Sequence, residues 1–266
     1  MTLDLSLTQL GFAGLLVLIA MAVTTWQKLG VAKSLAVGAI RASVQLTLMG
    51  YVLVTVFESA DPFLTVGLIL VMTAIAAYTA SGRQKTNPAD RKLVGGYAFL
   101  SILLSSAITL SFVSVLVVQP DPWYSAQYLI PLAGMIIANS MNAAALGAER
   151  FASELRARRA EVETLLALGA DPRTACKDLV KTAVSAAMMP TVSGLMVVGL
   201  VSLPGMMSGQ ILSGVSPLLA VRYQLVVQFM IACSAALTST AIVTFYGHSF
   251  FDRESQSLKL ERILSN

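Results

Sequence analysis

The 266-residue chain is 56% hydrophobic and only 12% charged, with a mean hydropathy of +0.76. A soluble domain carries about 25% charged residues; half that density cannot cover a soluble surface, and the same figures exclude disordered, collagen-like and coiled-coil chains. What remains is an all-α integral membrane protein, a single transmembrane domain over residues 1–266 with no length for a second, catalytic domain.

About 20 apolar residues cross the hydrocarbon core of a bilayer. Taken in chain order, such stretches run over residues 5–27, 34–57, 62–82, 93–120, 122–148, 182–221 and 223–251, and all but the second, which carries Arg41, are free of charge. The first lacks the basic leader of a signal peptide and is long enough to span. The sixth exceeds one crossing, and Leu203-Pro204-Gly205 is where its helix is expected to end. Residues 206–217 then form an outer turn or a short re-entrant piece.

Seven spans place every Lys and Arg except Arg222 on one side of the membrane. Basic loops stay in the cytoplasm, so the N-terminus is expected outside and the C-terminus inside. The net charge of +4 and pI near 9.2 therefore reflect this bias, and no nucleic-acid partner is implied; the contact is with membrane lipid. The location expected is the plasma (inner) membrane, as a multi-pass protein.

One connection breaks the pattern of short loops. Residues 149–181, between the fifth and sixth spans, hold 13 of the 32 charged residues and form a cytoplasmic insert. Its first half reads as a helix continuing from the membrane, with Phe151, Leu155, Val162, Leu166 and Gly169 on one face and Glu154–Arg158 as an i,i+4 pair. Gly169 suits the end of that helix. Asp171-Pro172 opens a second helix with Ala175, Leu179 and Ala183 on one side. Such a hairpin is either a docking surface for a partner or an amphipathic element resting on headgroups.

Cys176 and Cys233 form no pair, and the single His248 leaves no histidine cluster. No G-x4-G-K-[ST] motif exists, so any ATP-binding loop must come from another chain. The protein is expected not to be an enzyme and to hold no cofactor of its own.

Glu163-x5-Gly169 followed by a helix resembles the coupling loop of ATP-binding-cassette (ABC) permeases, although Thr164-Leu165 replace the small residues after the glutamate and Thr182 stands where a proline is expected. Residues 198–214 (VGLVSLPGMMSGQILSG) with Pro217 and Ala220-Val-Arg-Tyr-Gln224 resemble the signature of the UPF0014 family. So do Pro131-Leu-Ala-Gly-Met135 with Asn139, Glu154-Leu-Arg-x-Arg-Arg159 with Leu168-Gly-Ala170, and Arg41-x3-Gln45-Leu46 with Gly50. Members of that family include FetB-type ABC transporter permeases implicated in iron export and plant aluminium-tolerance proteins, whose cargo is also described as a nucleotide sugar. The resemblance implies a separate ATPase subunit that binds the ATP, a permease homodimer, and contact with the ATPase through Glu163, Gly169, Ala170, Asp171, Pro172 and Lys177.

Polar groups inside lipid are costly and mark candidate pathways. Arg41 either snorkels to the inner interface or lines a path, with Gln45 one turn further on. Asn139 and Asn142 share one face of the fifth span and are the first choice for a polar lining, interhelical hydrogen bonding being the other account. Among the twelve methionines, Met188, Met189, Met196, Met206 and Met207 cluster around the sixth span. Thioether suits a soft metal, but packing is the favoured reading. Met206, Met207 and Gln210 join the pathway candidates, as does Arg222, which is expected to pair with Asp121, Glu58 or Asp61 unless it meets an anionic ligand. No metal ligands are assigned.

The expectation is therefore an ABC permease subunit exporting iron or another metal-related cargo. The alternatives are an ABC permease for a nucleotide sugar or other organic cargo, and an ATP-independent secondary carrier. The carrier would need ionisable groups near the bilayer centre. A retinal receptor would need a lysine in the last span, which has none.

Overall fold

The computed structural model describes residues 6–59, 61–83, 88–252 and 257–259. Lys85, Arg253 and Arg262, which are among the basic residues counted above, lie outside the described residues. The elements are α1 (Leu7–Trp26), α2 (Ala32–Ser59), α3 (Pro62–Gly82), α4 (Pro88–Phe112) continued by a π-helical segment (Val113–Val118), α5 (Ala126–Ala157), α6 (Arg159–Ala167), α7 (Pro172–Ala175), α8 (Lys177–Val197), α9 (Gly205–Leu212) and α10 (Pro217–His248). Seven of them (α1, α2, α3, α4 with its π segment, α5, α8 and α10) are long and apolar enough to cross a membrane.

Local chemistry sets where these helices begin. Ser6 opens α1 with a capping box, its backbone N–H donating to Gln9 Oε1 at 2.8 Å and its hydroxyl accepting from the Gln9 N–H at 3.3 Å. Asp61 accepts from the Phe63 N–H at 2.8 Å and is followed by Pro62 in the first turn of α3.

Helix α5 lies at the centre, packed against α3, α4, α8 and α10. Small side chains allow the close approach. Ala133, Ala144, Ala148 and Ala152 of α5 are buried with Ala76, Ala77 and Ala80 of α3 and Ala183 of α8. At Gly147 a Cβ would lie 3.2 Å from Val243 Cγ2 and 3.4 Å from Ile242 Cγ2, so α5 and α10 meet there almost backbone to side chain. Helix α1 packs on α2, and α2 rests on the bundle through Val56 against Ala126 and Ile130.

Three expected boundaries move. The helix expected to run unbroken into the insert divides at Arg158, whose backbone turns to φ −110°. The expected Glu154–Arg158 pair is consequently absent: the turn takes Arg158 out of register, Glu154 pairs with Arg150 at 2.7 Å, and Arg158 pairs with Glu161 at 2.5 Å. The seventh span starts at Pro217 rather than after Arg222, because Ser216-Pro217 supplies the helix start and one arginine near a helix end does not interrupt it. The sixth ends at Val197, and the segment after Pro204 contains α9, eight residues or about 12 Å long, too short to cross.

Candidate functional site

The insert is an ordered hairpin. Its first arm, α6, ends in a Schellman turn. The Gly169 N–H donates to Leu166 O and the Ala170 N–H to Leu165 O, both at 3.0 Å, with Gly169 at φ +90°, a conformation only glycine adopts without strain. Asp171 follows in extended backbone, and its carbonyl accepts from the Ala175 N–H at 3.0 Å as α7 begins at Pro172. Val162, Ala175, Cys176 and Leu179 are buried with Phe151 and Leu155, so the apolar face forecast from spacing is the one that seals against the bundle. Glu163 points away from it, accepting from Arg159 Nε at 2.7 Å. Lys177 opens α8 and is exposed.

At the tip of this hairpin Leu168 is 79% exposed. It stands between the end of α6 and the Gly169 turn. The sequence reading gave Leu168 no role. The signal was available, since it lies off the apolar stripe and immediately before the turn glycine.

The polar residues proposed for a pathway are spread over three places rather than gathered into one. Arg41 and Gln45 are exposed on α2. On α5, Asn139 Nδ2 donates back to Met135 O at 2.9 Å, and Asn142 Oδ1 accepts from Arg83 Nη1 at 2.9 Å. The two asparagines share a face as expected, but one turns onto its own helix and the other ties α5 to the end of α3. Arg83 was missed as that partner. Met206 of α9 packs on the cluster of Val113, Leu132, Ile136, Val227 and Met230, which is the packing role favoured for methionine; Met207 is half-buried beside it. Gln210 Oε1 and Gln224 Oε1 are buried without a hydrogen-bond partner. Arg222 is exposed in α10 and, among the described residues, forms no ion pair with Asp121, Glu58 or Asp61. The expected salt bridge is corrected on this point: the earlier start of α10 places Arg222 on a helix rather than in a loop with those carboxylates. Among the described residues no group of three or more His, Cys, Asp or Glu could hold a metal ion.

Sequence reading also missed a seam of buried hydroxyls. Ser101, Ser105 and Thr109 of α4, Ser140 of α5 and Thr238 of α10 are buried, with Ser105 and Thr238 hydrogen-bonded across the α4–α10 contact. The Ser and Thr density of α4 was the readable signal.

Comparison with known proteins gives concordant results. The model of a family described as "Uncharacterised protein family (UPF0014)" matches residues 7–251. A UPF0014 membrane protein of Synechocystis is 40% identical over 239 residues, covering 90% of this chain and 91% of its own. The "probable iron export permease protein FetB" of Escherichia coli (strain K12) is 32% identical, covering 93% of each chain. The protein ALUMINUM SENSITIVE 3 of Arabidopsis thaliana is 32% identical, covering 90% of this chain and 85% of its own. No solved structure matches the chain.

Proposed function

This chain belongs to the UPF0014 family of membrane proteins, and from that premise we propose that it is the permease subunit of an ABC transporter exporting iron or another metal-related cargo. ATP is bound and hydrolysed by a separate ATPase subunit, and two permease copies form the path. Two things support the reading: the likeness to FetB, whose name carries iron export, and the insert itself. The observation that carries the partnership is Leu168. A single exposed apolar side chain is ordinary on a protein surface; what recommends Leu168 is that the turn outside the spans holds it in one geometry, so that docking it costs little ordering entropy. The Schellman turn holds Leu168, Gly169 and Ala170 in one geometry, with Glu163 in the helix before it and Asp171, Pro172 and Lys177 following it. Closure of the ATPase dimer would pull on this hairpin. Because α5 and α8 continue from its two arms, the pull would reach the bundle centre.

Orientation is part of the proposal: the basic residues place the insert in the cytoplasm and the Gln119–Ser125 loop outside.

The test is transport of radiolabelled iron in vesicles holding this chain and its ATPase, with and without ATP. ATP-dependent iron flux is expected. Hydrolysis of ATP by the purified chain alone, or unchanged flux after removal of residues 169–178, would defeat the proposal. Flux of a sugar nucleotide with none of iron would retain the ABC partnership and replace the cargo.

A further inference from the structure

Where α7 joins α8, a cavity of about 1100 Å³ opens between these helices, the start of α4, the end of α10 and the segment that follows it. Its lining is graded along the spans. Lys177 is the first residue of the α8 span and His248 the last of the α10 span, which sets both at headgroup depth. Arg173, Lys177 and His248 are exposed and so within reach of a ligand. The lining turns apolar three to seven residues inside the spans, roughly 5 to 10 Å along the axes. Val180 of α8, Val243 of α10, and Leu93 and Tyr97 of α4 form that deeper part. Leu93, Tyr97 and Val180 are half-buried and Thr244 beside them is exposed, so the apolar depth is open rather than sealed.

The charge of the lining decides the occupant. Three cations, Arg173, Lys177 and Lys259, face two carboxylates, Asp171 and Asp252. Asp252 is matched by Lys259 at 4.0 Å. The Thr174 hydroxyl beside Asp171 holds its carboxyl below the usual carboxylate range, so this group stays ionised and offsets one further cation. Among the described residues Arg173 and Lys177, four apart in sequence, form no ion pair. The balance is positive, and His248 adds a further ring nitrogen at the rim. A cationic ligand would meet an excess of like charge, and a plain hydrocarbon would leave the rim unpaired. An anion joined to an apolar tail satisfies both depths at once, and basic pockets at the ends of spanning helices take anionic headgroups for this reason.

We propose that this cavity binds the phosphodiester headgroup of an anionic phospholipid of the phosphatidylglycerol type. Arg173 and Lys177 hold the phosphate with His248 at its side, and one acyl chain runs inward past Tyr97, Val180 and Val243. The site does not rest on the ABC reading, although Asp171, Pro172 and Lys177 belong both to this cavity and to the proposed ATPase contact.

The experiment uses the full chain without an ATPase, in phosphatidylcholine nanodiscs holding phosphatidylglycerol with a diazirine on one acyl chain, compared with phosphatidylcholine carrying the same group. The phosphatidylglycerol probe is expected to label peptides from the start of α8 and the end of α10 preferentially. Unlabelled phosphatidylglycerol should compete, and soluble glycerol phosphate should not. Arg173→Gln should weaken that competition by about fivefold, and Arg173→Gln with Lys177→Gln should bring labelling down to the phosphatidylcholine level. Arg173→Lys should restore most of it, and Thr244→Trp should obstruct the apolar depth and reduce labelling by both probes. Lys181→Gln, one turn further along α8, exposed and outside the lining, should change nothing. Equal labelling by both probes, or an equal loss from Lys181→Gln, would reduce the effect to diffuse attraction by a basic surface and overturn the proposal. Competition by glycerol phosphate as effective as that of the lipid would overturn it too, because the site would then serve a soluble phosphate.

Discussion

Cys176 is buried where α7 meets α8, and burial pushes its thiol from an ordinary 9.0 up to about 11. The fold therefore keeps the proton where an unfolded chain would release it. Below about pH 9 the thiol contributes no pH dependence; between pH 9 and 11 the unfolded state alone loses the proton, and stability falls as pH rises, by about 3 kcal/mol in all. Thermal unfolding in detergent between pH 8 and 10.5 should show a shallower decline for Cys176→Ala than for the parent chain. Identical slopes would show that Cys176 ionises equally in both states. Gly147 acts through packing instead. An added methyl there meets Val243 and Ile242 at 3.2 and 3.4 Å, so Gly147→Ala should cost about 1 kcal/mol and Gly147→Leu about 3 kcal/mol, read as successive drops in Tm. Equal stability of the leucine variant would mean that α5 and α10 can separate at little cost.

The insert joins two kinds of interaction with different consequences. Its pairs Arg158–Glu161 and Arg159–Glu163 lie at the surface and are screened by salt. Its buried face, from Phe151 to Leu179, fixes where the tip stands. Leu168→Glu, at a site 79% exposed, should leave the unfolding free energy within about 0.5 kcal/mol of the parent yet prevent co-purification with the ATPase and stop ATP-driven flux. A destabilised Leu168→Glu variant, or one that still binds the ATPase, would remove Leu168 from the docking role. The spans were legible in sequence because absence of charge over 20 residues has one physical meaning. The apolar stripe of the insert was legible for the same reason, a period matched to burial. The break at Arg158, the π segment and the early start of α10 were not, since each depends on tertiary contacts or on a charge tolerated near a helix end. Candidate site residues were the least legible. Asn142 and Arg222 both stand out in the sequence as polar residues in apolar stretches and both are exposed on their helices, and only the fold gives Asn142 a partner in Arg83.

At the scale of the molecule, the bundle divides into a packed centre and a light flank. Helices α3, α4, α5, α8 and α10 share the core around α5, while α1 and α2 touch it chiefly near Val56. A flank so loosely joined leaves one side of α5 open for a second copy, which suits the proposed homodimer. Charge divides the molecule along the perpendicular axis. Among the described residues, every Lys and Arg but Arg222 lies toward the end of the spans that carries the insert, and translocating that end would move all of them through the bilayer. Trp123, in the loop before α5, and Leu168, at the tip of the insert, are both exposed and stand at opposite ends of α5 and its continuation. With Cys176 and Cys233 replaced by alanine, Trp123→Cys should react with a membrane-impermeant maleimide on intact cells. Leu168→Cys should react only after lysis. The opposite pattern would place the insert outside, away from any cytoplasmic ATPase, and the proposed coupling would fail with it. Labelling of both sites in intact cells would show that α5 does not cross as a single span.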